Sequence, residues 1–229
     1  RSKSFDELQY FTELNSIGDL VFFYCEQLTS VILPPNITSI GGGAFQCCSS
    51  LTSINIPESV TSIGSYTFMG AKSLTSVTIP ENVTSIGEGA FSSCSSLTSV
   101  NIPEGVTSIG YSAFNNCSSL TSLTIPEGVT TIGGSAFSGC SSLTSITIPE
   151  NVTSIGEEAF NGIPKVNLTS TTPPQITSRI GSDCTVFIVP EGSISSYRNA
   201  DVWSEFNTWI VRDTKCNKEI DVSDVVVLD

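Results

Sequence analysis

Histidine is absent from the 229 residues, which removes the Ser/His and Cys/His nucleophile schemes and every His-ligated zinc site at once. Basic residues are scarce: 9 Lys plus Arg stand against 22 Asp plus Glu, a net charge of −13. So acidic a surface repels phosphate backbones and anionic headgroups, and nucleic acid is not an expected partner. No apolar run approaches the roughly 18 to 20 residues needed to cross a bilayer, so direct membrane insertion is not expected. No two cysteines have CxxC spacing, which leaves metal binding without support. Residue 1 is Arg rather than Met, from which a removed or excluded leader is expected. What the chain does have is 39% hydrophobic residues, enough to bury a core in one elongated domain with a small appendage.

Those residues repeat. Leu28, Leu51, Leu74, Leu97, Leu120 and Leu143 recur every 23 residues and open six units that run to Lys165. A degenerate unit precedes them over 1–27. There Phe5, Leu8, Tyr10, Leu14, Ile17, Phe22 and Cys25 match the columns of Leu28, Val31, Leu33, Ile37, Ile40, Phe45 and Cys48.

The unit Leu74 to Ser96 follows no single period and reads as a three-sided coil. Val77 and Ile79 alternate with Ser76 and Thr78, which predicts a strand with its apolar residues inward. Pro80 ends it, because proline has no N–H to give to a ladder. Val83 and Ile86 bracket a second strand. Gly87 then turns the chain, and its column predicts either a positive φ or a space too tight for a Cβ. Ala90, Phe91 and Cys94 have helical spacing and predict a short helix closing the coil. One coil cannot bury its own apolar side. Coils stacked about 4.8 Å apart bury a continuous column, and seven make a rod about 30 Å long.

The pattern LxxVxIPxxVxxIGxxAFxxCxx resembles the BspA-like leucine-rich repeats of bacterial cell-surface proteins over about residues 5 to 165. The resemblance implies a β-rich, right-handed leucine-rich-repeat solenoid with two short strands and one short helix per coil. Residues 166–212, with VFIVPEGSISSYRNADVWSEF, resemble the capping module of Bacteroides-type surface proteins. Val186 and Ile188 are expected in a strand, Ser193 to Asn199 in a short helix, and Asp201 at the cap of another. Trp203, Phe206 and Ile210 share one helical face. With Trp209 they read as cover for the open core end, against a sugar-stacking platform. The tail 213–229 stays unassigned, and Asp221 and Asp224 lack the ligand spacing of an EF-hand.

Stacking turns columns into lines. Cys25, Cys48, Cys94, Cys117 and Cys140 share a column with Ala71 and Ile163, so buried free thiols are expected. Cys47, Cys184 and Cys216 lie off it, and a Cys184–Cys216 bridge is left open. Glu58, Glu81, Glu104, Glu127 and Glu150 predict an exposed acidic line that solvent and salt make tolerable. Glu88, Glu157 and Glu158 are placed near helix starts. Asn36, Asn82, Asn116, Asn151 and Asn167 head sequons, expected to be exposed.

The outward strand positions are small: Ser53 and Asn55, Ser76 and Thr78, Ser99 and Asn101, Ser122 and Thr124, Ser145 and Thr147. Such a face suits a repetitive ligand, such as a polysaccharide or fibre, or is scaffold. Candidate contacts for a specific ligand are the variable residues Tyr66, Met69, Lys72, Tyr111, Asn115 and Asn116, with Phe23 and Tyr24 on the first coil. No catalytic, metal or cofactor residues are expected, because the only carboxylate cluster is a line without a pocket. The resemblance implies a monomeric, secreted or cell-surface adhesion module whose partner is an extracellular protein or polysaccharide. A spacer presenting another domain is the alternative, and an enzyme the third.

Overall fold

The computed structural model describes residues 3–181, 185–206 and 210–212. Successive repeats lie one on the next. Ser76–Thr78, Ser99–Asn101 and Ser122–Thr124 pair in parallel, with Val77 beside Val100 and Val100 beside Leu123. A second parallel ladder runs through Ser85, Ser108, Thr131, Ser154 and Gln175. The coil from Leu51 to Ser73 joins both faces through single bridges at Asn55 and Ile63. The alternation of small polar and β-branched residues places Ser76 and Thr78 outward and Val77 inward, as a half-buried strand requires. Leucines 51, 74, 97 and 120 are fully buried on that axis.

Threonines reinforce the stack. The hydroxyls of Thr52, Thr98 and Thr121 donate to the carbonyls of Thr29, Thr75 and Thr98 in the preceding coil at 3.1–3.2 Å. Opposite them runs a column of phenylalanines, 22, 45, 68, 91, 114, 137 and 160. Their neighbouring ring centroids lie 5.0–6.1 Å apart, with planes within 15° of parallel. From Phe45 onward every ring is wholly buried.

The expected helix is absent from every described coil, and consecutive turns take its place. In the coil of Gly87, Ala90, Ser92 and Cys94 donate to carbonyls three residues back. Gly89, Phe91 and Ser93 donate instead to Tyr111, Ala113 and Asn115 of the next coil at 2.7–2.8 Å. An α-helix would spend all these donors on itself, and its body, about 10 Å across, would not fit a stack spaced at about 4.8 Å. Positive φ at the second and sixth residues after the glycine, such as Gly89 (+57°) and Ser93 (+60°), breaks helical continuation. Helix and turn run bury the same Ala, Phe and Cys, so spacing alone does not separate them.

The glycine column is explained by space rather than by φ, since none of its members has positive φ. A Cβ on Gly110 would lie 2.6 Å from the carbonyl carbon of Gly87, and one on Gly133 2.4 Å from the amide nitrogen of Tyr111.

At the N-terminal coil Phe5 pairs with Val31, not with Leu28 as the column match predicts. The 3-10 turn Asp6–Tyr10 absorbs the extra residues, and register is regained where Ile17 pairs with Ile40. Beyond residue 164 stacking continues through strands Lys165–Leu168, Gln175–Ile176 and Val186–Val189. The short helix Ile194–Asn199 follows. Trp203 is buried edge-on to Phe187 and Tyr197, and its Nε1 donates to the Pro174 carbonyl at 2.7 Å. A 3-10 turn, Trp203–Phe206, starts where a capped helix is expected at Asp201. Trp209, the side chains of Phe206 and Ile210, the tail and the Cys184–Cys216 pairing lie outside the described residues.

One seam is open. Among the described residues no ladder joins Ser122–Thr124 to Ile146–Ile148, although Thr131 pairs with Ser154 between the same two coils. The turn side holds there as well, with the Phe137 amide donating to Ala159 at 2.8 Å.

Candidate interaction surface

The outward strand positions form a shallow depression of about 350 Å³ lined by Ser76, Thr78, Ser99, Asn101, Ser122 and Thr124. It contains no charged or aromatic side chain. Large exposed groups sit instead on the turn edge and at the N-terminal end, and there the sequence-derived candidates divide into three groups.

Tyr66 and Tyr111 belong together. Tyr66, at φ +59°, extends along the stack so that its ring covers Gly89 and its hydroxyl donates to the Glu88 carboxylate. The hydrogen bond to Glu88 holds the Tyr66 hydroxyl above its ordinary pKa of 10.0, with smaller contributions from desolvation and the charges of Glu88 and Tyr111. Tyr111 follows Glu88 in the same column one coil later, and its ring covers Gly134. Backbone bonds fix the spacing, from Tyr66 to the Glu88 carbonyl at 2.7 Å and from Gly89 to the Tyr111 carbonyl at 2.8 Å. Both rings and the carboxylate are exposed.

Met69, Lys72, Asn115 and Asn116 lie further along the turn run. Met69 sulfur accepts from Gln46 at 3.7 Å, Asn116 donates to the Asn115 side chain at 2.7 Å, and Asn115 donates to the Ser138 carbonyl at 3.3 Å. Asn115 and Met69 are thus partly occupied in joining coils, whereas Lys72 is exposed. Phe23 and Tyr24 pack edge-on at 4.6 Å on the first coil, beside exposed Leu20 and Val21, as a separate apolar patch.

Glu88 is the functional candidate that sequence reasoning misplaces. Its reading as a helix-start charge falls with the helix. A signal for the ridge was present: Leu20, Tyr66 and Tyr111 each have a glycine one repeat later, at 43, 89 and 134, which clears room for the side chain.

The remaining columns are structural. Thiols of Cys48, Cys94, Cys117 and Cys140 donate to the carbonyls of Phe22, Phe68, Phe91 and Phe114 at 3.1–3.2 Å. Burial pushes Cys94 and Cys140 up to about 12. These four and Cys25 and Cys47 are free thiols. Glu58, Glu81, Glu104, Glu127 and Glu150 are exposed in a line. The amides of Asn36, Asn82 and Asn151 are exposed yet donate to the carbonyls of Thr12, Glu58 and Glu127, tying their turns to the preceding coil. Among the described residues no three His, Cys, Asp or Glu are placed to hold a metal, and no helix is long and apolar enough to cross a membrane.

Stacked short coils around a leucine column, joined by parallel strands, define a leucine-rich-repeat solenoid. The chain belongs to the BspA type leucine-rich-repeat family, matching that region in six copies over residues 1–120 and 61–186. A leucine-rich-repeat protein from Bacteroides ovatus shares 33% identity over 78% of this chain, with a TM-score of 0.62. The chain spans 50% of that protein's length. A Treponema pallidum leucine-rich-repeat protein is 26% identical over 77% of this chain and 80% of its own, with a TM-score of 0.58. The pneumococcal vaccine antigen PcpA shares the fold at 18% identity over 88% of this chain and 60% of its own, with a TM-score of 0.56. No curated protein matches the chain in a sequence comparison. Members of this repeat class are generally protein-binding scaffolds, and no enzyme stands among the relatives named here.

Proposed function

We propose that this chain is a secreted or cell-surface binding module that adheres to a host or microbial macromolecule, a protein or a glycan, through its turn edge. The observation that carries this reading is the exposed trio Tyr66, Glu88 and Tyr111, held on a rigid stack by backbone bonds of 2.7–2.8 Å. Stacks of near-identical coils supply stiffness, and large exposed aromatic side chains supply the anchors on which protein interfaces depend. Residues 166–212 serve as the lid over the last coil, supported by Trp203 sealed between Phe187 and Tyr197.

Immobilised protein challenged with a panel of extracellular matrix proteins and a glycan array should retain at least one component saturably. The double variant Tyr66→Ser/Tyr111→Ser should lose it while melting as a folded solenoid. If no component is retained, the chain is a spacer that presents another domain.

A further inference from the structure

Resting on that binding role, we infer that Tyr66, Glu88 and Tyr111 form a receptor for an arginine side chain of a partner protein.

Three successive coils supply one group each. Glu88 brings the charge, and its carboxylate has about four lone-pair positions, of which the Tyr66 hydroxyl takes one. Among the described residues no basic side chain is paired with Glu88, so a bidentate approach to the carboxylate is open. Tyr66 and Tyr111 flank it along the stack, and each ring is kept in place by the glycine beneath it, Gly89 or Gly134. A carboxylate between aromatic faces suits a planar cation that accepts a hydrogen-bonded fork at its edge and stacking on its face. Guanidinium has that shape, whereas an ammonium is a compact, strongly hydrated point charge.

Charge favours the same partner, since the net −13 of the chain draws cationic segments toward it. The glutamate line at 58, 81, 104, 127 and 150 shares that attraction without a ring beside any member in its column, and so serves as an internal control.

The test uses the whole chain and a fluorescently labelled tetra-arginine peptide, read by anisotropy at physiological salt. Tetra-lysine and tetra-citrulline peptides report charge without the fork and shape without the charge. Tetra-arginine should bind about fivefold tighter than tetra-lysine, and tetra-citrulline should fail to bind. Glu88→Gln and Tyr111→Leu should each weaken tetra-arginine binding about tenfold. Glu127→Gln, which removes the same charge elsewhere, should change it less than about twofold. Equal losses for Glu88→Gln and Glu127→Gln, or equal affinity for arginine and lysine peptides, would overturn the assignment. Glu88 is exposed, so Glu88→Gln decides alone should Tyr111→Leu fail to fold. A chain that retains a matrix protein or glycan yet binds tetra-arginine independently of Glu88 keeps the binding role and loses this site. One that holds the peptide through Glu88 and retains no macromolecule does the reverse.

Discussion

The ring of Tyr66 lies directly over Gly89 of the next coil, so that a Cβ added to that glycine would sit 2.6 Å from Tyr66 Cδ1. Gly89 also holds φ at +57°, which disfavours any side chain. Gly89→Ala should therefore act in two ways. It should cost about 1–2 kcal/mol in urea unfolding. It should also push the tyrosine ring aside and break its bond to Glu88. That bond raises the Tyr66 pKa by favouring the protonated hydroxyl, so its loss should bring the titration back toward 10.0. Ultraviolet titration of the variant against the parent chain reads the change directly.

Gly110 and Gly105 separate crowding from conformational freedom. A methyl group on Gly110 meets the Gly87 carbonyl carbon at 2.6 Å, backbone against backbone, with nothing able to rotate away. On Gly105, exposed and without positive φ, it meets carbonyl oxygens no nearer than 3.5 Å. Gly110→Ala should cost about 3 kcal/mol or more. Gly105→Ala should be neutral or stabilising by about 0.5 kcal/mol, because it narrows the unfolded ensemble. Denaturant midpoints of the two single variants give the comparison, and equal midpoints would remove the crowding explanation for the glycine column.

Phe114 stands between Phe91 at 5.3 Å and Phe137 at 5.6 Å and is fully buried. Phe114→Ala should cost about 3–5 kcal/mol through lost burial and the cavity left behind. Because each coil touches only its neighbours, the loss should also divide the unfolding transition, with residues on either side of Phe114 melting apart. Hydrogen exchange across the stack would show two protection levels in place of one.

The thiol column should be inert in the folded chain. Iodoacetamide at neutral pH should label Cys25 and Cys47, which are half-buried, and spare Cys48, Cys94, Cys117 and Cys140 until denaturant is added. The same burial links stability to pH. Unfolded thiols ionise near 9.0, while Cys94 and Cys140 hold their protons to about 12. Between those values the native state binds more protons than the unfolded one, so stability should fall as pH rises. Cys94→Ala should flatten that slope.

The solenoid was legible because a repeat is read many times over. Leu51, Leu74 and Leu97 fix the spacing, Val77 against Ser76 and Thr78 fixes the face, and Pro80 fixes the strand end. The glycine column, as at Gly110, left two explanations open, and contacts with the preceding backbone select crowding. What stayed hidden depends on where hydrogen bonds go. Ala90, Phe91 and Cys94 point inward in a helix or in a run of turns, and no periodicity reports that Phe91 donates to the next coil rather than to its own. The surface trio was half visible. Tyr66 and Tyr111 stand out as large residues in variable columns, whereas Glu88 looks like any other carboxylate until Tyr66 is seen to reach it.

The missing ladder between Ser122–Thr124 and Ile146–Ile148 gives this rod a compliant joint, since two of its three sides remain fastened there and the third is free to gape. Pulled from its ends, the molecule should flex toward the fastened sides and yield at that joint first. The two parts would then stay intact as separate springs on one tether.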